Sequence, residues 1–212
     1  MIVLALDTCL AACSVALTRD GEPLAWVTEP MARGHQERLA TMVGDLMASQ
    51  SLALGQVDRI GVTVGPGSFT GLRVGLAFAK GLALALGRPC VGVGVLEALT
   101  ASSAETGPIA AVVNAGRGRV YLQLFDAGSP VSDPEPLSID LAIDRLDEVF
   151  PSGRFALTGP GADLLAGGVP GARLEPRASP DPRAVARLAR LAPSTPPRPL
   201  YLRAPDAKVK AA

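Results

Sequence analysis

An α/β fold built from two copies of one strand–hairpin–helix–strand unit is what this 212-residue sequence predicts, and two internal echoes and one periodicity carry the prediction. The run Ile2-Val3-Leu4-Ala5-Leu6-Asp7 returns as Ile109-Ala110-Ala111-Val112-Val113-Asn114, with a glycine and then a proline at matching offsets, Gly21 and Pro23 against Gly128 and Pro130. The stretch leading into Gly65-Pro66-Gly67 returns, in the same order, as the stretch leading into Gly159-Pro160-Gly161. Repetition of this kind marks a duplicated supersecondary unit. Between hairpin and glycine loop, Leu39, Met42, Val43, Leu46 and Met47 recur at threes and fours, the stripe of an amphipathic helix. Strands alternating with helices give the α/β class.

The elements follow in order. Ile2 to Leu6 is a buried strand, Ser14 to Leu17 a second and Pro23 to Thr28 a third, joined by the turn Arg19-Asp20-Gly21-Glu22. A helix spans His35 to Ser49. A strand from Arg59 to Val64 enters the loop Gly65 to Gly71, and a helix from Leu72 to Leu86 ends at Gly87 and Pro89. Cys90 to Val95 is a further strand. The second copy is worn, with a helix only over Leu141 to Val149. A Pro- and Arg-rich end from Arg177 to Lys210 holds one short helix, Arg183 to Leu191, and an extended piece, Leu200 to Arg203. Residues 204–212 are expected to be mobile. The duplication divides the chain into lobes 1–104 and 105–212.

Composition excludes several functions. Twenty Lys and Arg balance twenty Asp and Glu, so no net field draws in a polyanion, and 4% aromatics are too few for a base-stacking surface. No uninterrupted apolar run of about 18 residues exists and the start lacks a basic leader, so no membrane contact and a cytoplasmic location are expected. Cys9, Cys13, Cys90 and the single histidine, His35, cannot assemble a disulfide framework or a four-ligand zinc site, and Leu39 stands where a helical metal motif would need a second histidine. No metal site is assigned.

An acid closing the first strand, followed by a hairpin, is how actin-like ATPases hold metal and phosphate, which makes Asp7 and Thr8 phosphate-site candidates together with Ser68 and Thr70 of the glycine loop. Two departures weaken them. Asn114 replaces the acid in the second copy, and Cys9-Leu10-Ala11-Ala12 has no glycine to let amides approach a phosphate. The loop itself fits neither a Walker nor a dinucleotide fingerprint nor a nucleophile elbow. Structural capping is the competing role for all four residues, and no cofactor is assigned.

The helix after the loop is apolar around most of its circumference, with a small-residue ridge of Gly71, Gly75, Ala79 and Ala83. Mid-helix glycines cost about 1 kcal/mol each relative to alanine, so something packs closely on them. The expectation is another protein chain, on a surface of His35, Leu39, Met42, Val43, Leu46, Leu72, Gly75, Leu76, Ala79 and Ala83; burial within this chain is the alternative. On the first reading Gly75→Leu abolishes docking and leaves the fold intact.

The run Gly65-Pro66-Gly67-Ser68-Phe69-Thr70-Gly71-Leu72-Arg73-Val74-Gly75, with Ala79-Lys80-Gly81-Leu82, resembles the signature of the bacterial TsaB (YeaZ) family. Leu4-Ala5-Leu6-Asp7-Thr8, Gly34-His35, the hairpin from Arg117-Gly118 to Tyr121 and Pro199-Leu200-Tyr201-Leu202-Arg203 are similar to it as well. Asn114 and Gly118 depart from its acidic residues. The resemblance implies an actin-like fold of two lobes with a shortened C-terminal lobe. It also implies a non-catalytic subunit in forming N6-threonylcarbamoyladenosine at position 37 of tRNAs that read codons starting with A. The catalytic paralogue TsaD, which holds a metal with histidines, would be the partner through the first two helices, with the ATPase TsaE joining the complex. Pairing with a second copy is possible when alone, and tRNA would be met only within the assembly. Competing readings are a free-standing actin-like ATP-binding enzyme, a self-associating scaffold, and a peptidase, for which nucleophile elbow and second histidine are missing.

Overall fold

The computed structural model describes residues 1–202; Arg203 and the expected mobile tail lie outside the described residues. The first sheet is formed by β1 (Ile2–Asp7), β2 (Ala12–Arg19), β3 (Glu22–Pro30), β4 (Arg59–Thr63) and β5 (Cys90–Val93), in the order β3-β2-β1-β4-β5. The first three strands run antiparallel as a meander, and β4 and β5 join parallel to β1. In the second sheet β6 (Ile109–Gly116), β7 (Arg119–Asp126), β8 (Ser129–Pro130), β9 (Glu135–Ser138), β10 (Ala156–Thr158) and β11 (Arg173–Glu175) repeat that plan. Its order is β11-β10-β6-β7-β8 with β9 also on β7, and β10 and β11 are parallel to β6. The duplication is therefore a repeat of topology as well as of sequence.

The helices are α1 (His35–Ser49), α2 (Phe69–Leu86), α3 (Val95–Ala101), α4 (Ile139–Val149), α5 (Asp163–Ala166) and α6 (Pro182–Leu191). Alternation along β1 sends Ile2, Leu4 and Leu6 toward α1 and α2, and Val3 and Ala5 to the opposite face, where Val185, Ala186 and Ala189 of α6 meet them. In the second sheet Ala110 and Val112 face α4 and α5. The worn α5, four residues long, stands where α2 stands in the first copy.

Several features lay outside the sequence reading, among them β9, β11 and α5. Val95, expected to end a strand, starts α3, whose seven residues are too few to show a helical period. More consequential is an exchange of helices. The helix after the last strand of each unit packs on the other unit's sheet: α3 follows β5 and lies on β6 and β7, whereas α6 follows β11 and lies on β1, β2 and β4. The two helices touch each other between the sheets. Residues 182–191, placed by sequence order in the second lobe, thus complete the core of the first.

Local chemistry fixes α6 there. Asp181 caps its N-terminus, accepting from the Arg183 amide at 2.8 Å with Pro182 at the first helical position, and Arg59 of β4 donates to the carbonyls of Ala189 and Ala192 at 3.0 and 2.6 Å at the other end. Gly61 lets the helix approach: a Cβ there would collide with the methyl of Ala189. Ala189→Leu is accordingly expected to lower stability by about 1–3 kcal/mol, the usual cost of overpacking, read as a fall in the urea midpoint at unchanged slope.

Candidate partner-binding face

The loop after β4 and the start of α2 are built around the end of β1. Asp7 is fully buried; its Oδ1 accepts from the Thr63 hydroxyl at 2.6 Å and from the Cys9 amide at 3.0 Å. Asn114 makes the same turn in the second copy, accepting from the Gly116 amide at 2.8 Å. Thr8, also buried, donates its hydroxyl to the Gly71 carbonyl at 2.7 Å, and the Ser68 amide donates to the Cys9 carbonyl at 2.7 Å. Ser68 caps α2, its hydroxyl accepting from the Gly71 amide at 3.3 Å. The four phosphate-site candidates do not converge on one space. Asp7 and Thr8 are enclosed with internal partners, whereas Ser68 and Thr70 are exposed on a 430 Å³ cleft shared with Arg33, Gly34 and His35. His35 is buried, with Nε2 3.2 Å from the Ala12 carbonyl oxygen.

Burial without a partner for Oδ2 pushes the Asp7 carboxyl above its usual range, and the bonds from Thr63 and Cys9 offset this only in part. The unfolded chain therefore ionises first as pH rises. The contribution of Asp7 to stability is full below the unfolded carboxyl value near about 4 and is lost as pH climbs through the raised folded value. Asp7→Asn keeps the accepting oxygen and removes the titration, as Asn114 already does. Urea unfolding between pH 4 and 8 should show the variant losing less stability with rising pH than the parent. Equal losses would mean that this carboxyl does not titrate in that window.

The ten residues expected to meet another chain face inward instead. His35, Leu39, Met42, Val43 and Leu46 of α1 and Leu72, Gly75, Leu76, Ala79 and Ala83 of α2 are all buried within the chain, Leu39 and Met42 at 1% exposure and Ala79 at 0%. The small-residue ridge is what lets α2 lie close on its own sheet. A Cβ on Gly71 would collide with the Thr8 carbonyl, and one on Gly75 would sit 2.5 Å from the Thr8 hydroxyl. Gly75→Leu would thus disrupt the fold itself. Gly81, by contrast, faces open space.

The other side of α2 is left uncovered. By length and composition α2 is the one helix among the described residues apolar enough to cross a membrane, yet it lies on a sheet with only 33% of its length buried. Its outer face carries Phe69 at 46% and Leu84 at 85% exposure, with Arg73, Ala77 and Lys80 between them. A groove of 630 Å³ runs between α1 and α2, lined by Gln36, Leu39, Phe69, Thr70, Arg73, Val74, Ala77 and Phe78. Of the ten expected residues only Leu39 reaches it, as its floor. The signal that would have found this face is the pair Arg73 and Lys80: charged side chains two turns apart mark the side of a helix turned away from its core.

The family model described as TsaD: tRNA N6-adenosine threonylcarbamoyltransferase matches residues 27–137. The tRNA threonylcarbamoyladenosine biosynthesis protein TsaB of Haemophilus influenzae is 37% identical over 124 residues, covering 57% of this chain and 52% of that protein. The matched stretch thus spans about half the length of the curated relatives. A ROK hexokinase from Thermus thermophilus, 13% identical with a TM-score of 0.52 over 90% of this chain and 98% of its own, shares the actin-like fold alone. The crystal structure of YeaZ from Pseudomonas aeruginosa superimposes over 95% of this chain and 99% of its own, with a TM-score of 0.80 and 29% identity. With the glycine-loop signature wrapped around the end of β1 and the repeated sheet plan behind it, these matches place the chain in the TsaB (YeaZ) family.

Proposed function

We propose that this chain is the non-catalytic, partner-stabilising subunit of the cytoplasmic assembly that forms N6-threonylcarbamoyladenosine at position 37 of ANN-decoding tRNAs. It docks a TsaD-like catalytic paralogue through the outward face of α1 and α2, in the lobe 1–104, whose core is completed by α6 from the part of the chain assigned to the second lobe, 105–212. A TsaE-like ATPase joins through the complex, and tRNA is met there. The observation that carries the reading is the uncovered side of α2, where Phe69 and Leu84 stand exposed and a groove lined by Val74, Ala77 and Phe78 runs alongside. Exposed apolar patches of this kind mark protein interfaces. The subunit contributes binding free energy for one conformation of its partner and no reacting group. A single histidine, buried and bonded to a backbone carbonyl, supplies no multi-histidine metal site.

The competing reading, a free-standing ATP-binding enzyme, needs Asp7 in contact with metal or water, and that side chain is enclosed. Titration calorimetry of the TsaD-like protein of the same cell into this chain is expected to give a saturable complex of one copy each, with no ATP turnover by this chain alone. Failure of the purified pair to associate overturns the proposal.

A further inference from the structure

Arg73 and Lys80 are the only charged residues on α2, and neither forms an ion pair among the described residues. Arg73 is nonetheless held in place. Its guanidinium carbon lies 3.7 Å over the Phe69 ring centroid, its Nε donates to the Tyr201 hydroxyl at 3.3 Å, and the Tyr201 and Phe69 rings meet at 5.6 Å. Tyr201 is carried in by the segment after α6. That segment is pinned to the first sheet by buried Pro197 against Gly92 and by the Leu200 amide donating to the Val64 carbonyl at 2.7 Å. Both rings are about half exposed, 46% and 45%, at the rim of the groove. The two terminal nitrogens of Arg73 have no hydrogen bond among the described residues.

We infer that this fork is a preorganised socket for a carboxylate side chain on the docking surface of the catalytic partner, with Phe69 and Tyr201 as positioning residues. The inference rests on the docking reading above. A planar guanidinium with both terminal nitrogens open matches a carboxylate bidentately. Two rings that fix its plane in the free chain reduce the ordering cost at docking, and the apolar lining of Val74, Ala77 and Phe78 excludes water once the partner is seated. A phosphate backbone is the poorer occupant. Twenty basic residues balance twenty acidic ones over the whole chain, so no net field draws a polyanion to this face.

The test is calorimetric affinity for the purified TsaD-like partner at two salt concentrations. Arg73→Ala is expected to weaken binding by about tenfold to a hundredfold and to flatten its salt dependence, as for truncation of one member of a desolvated charge pair. Arg73→Lys should recover only part of the loss. Tyr201→Phe, which removes the hydroxyl and keeps the ring, should weaken binding by a few-fold with the salt dependence intact, a split that a purely structural role would not produce. Thermal melts of each variant register any loss of folding separately. If the parent binds and Arg73→Ala binds within twofold of it, the socket is wrong and the docking reading stands. Loss of tRNA binding with partner affinity unchanged would reassign Arg73 to phosphate and equally overturn the socket. A parent chain that does not bind the partner removes both.

Discussion

Gly71→Ala is expected to destabilise this chain, while the same substitution further along the same helix, Gly81→Ala, stabilises it. Alanine is the better helix former by about 1 kcal/mol, so propensity alone gives both changes the same sign. Gly71, however, rests on the Thr8 carbonyl, a backbone atom fixed by its place at the end of β1, and an added methyl has nowhere to go. A cost of about 3 kcal/mol, the upper end of ordinary overpacking, is expected. For a chain of this size that is a fall of roughly 6–12 °C in the melting temperature. At Gly81 a Cβ meets nothing within 4 Å, and a gain of up to about 1 kcal/mol, or a rise of roughly 2–4 °C, should appear. Calorimetric melts of the two variants separate an inward ridge from an outward one. A stable Gly71→Ala protein would mean that α2 does not seat as described.

Ala77→Lys should abolish association with the TsaD-like partner and leave the free chain unharmed. Ala77 is exposed in the middle of the α2 face, so in the free chain a lysine there projects into water. It costs at most a few tenths of a kcal/mol through proximity to Arg73 and Lys80 on the same face. At a docked interface the same ammonium would be pressed into the groove beside Phe69, Val74 and Phe78 with no partner, and stripping its water costs several kcal/mol. An affinity loss of at least about a hundredfold, each 1.4 kcal/mol being tenfold, with an unchanged melting temperature, is the expected result. Undiminished binding would put the interface elsewhere.

The elements that show an apolar run or stripe between turn residues were legible from sequence. The hairpin strands, α1 and α6 lie where the runs Ile2 to Leu6, Ser14 to Leu17 and Pro23 to Thr28, the stripe from Leu39 to Met47 and the short helical stretch from Arg183 to Leu191 put them. The repeat of Ile2–Asp7 at Ile109–Asn114 foretold the repeat of sheet order, because register follows the apolar pattern. What could not be read was which neighbour satisfies an apolar surface. Gly71, Gly75, Ala79 and Ala83 announce a close approach, and a close approach to a β-sheet leaves the same mark in sequence as one to a second protein. The same limit hid the helix exchange, since Val185, Ala186 and Ala189 say that α6 is buried on one side but not under which sheet. At the end of β1, the carboxyl of Asp7 suggested a ligand contact; its enclosure depends on Thr63 and on the Cys9 amide, brought together only by the parallel pairing of β1 with β4.

The crossing of α3 and α6 between the two sheets means that neither half is a molecule in its own right. Cut after residue 104, the front portion would bare the underside of its strands, and the protein should melt in one cooperative step rather than two. It also gives the weathered rear copy a reason to persist: whatever pocket it once held, its strands are the route by which the chain returns with the cover its front half lacks.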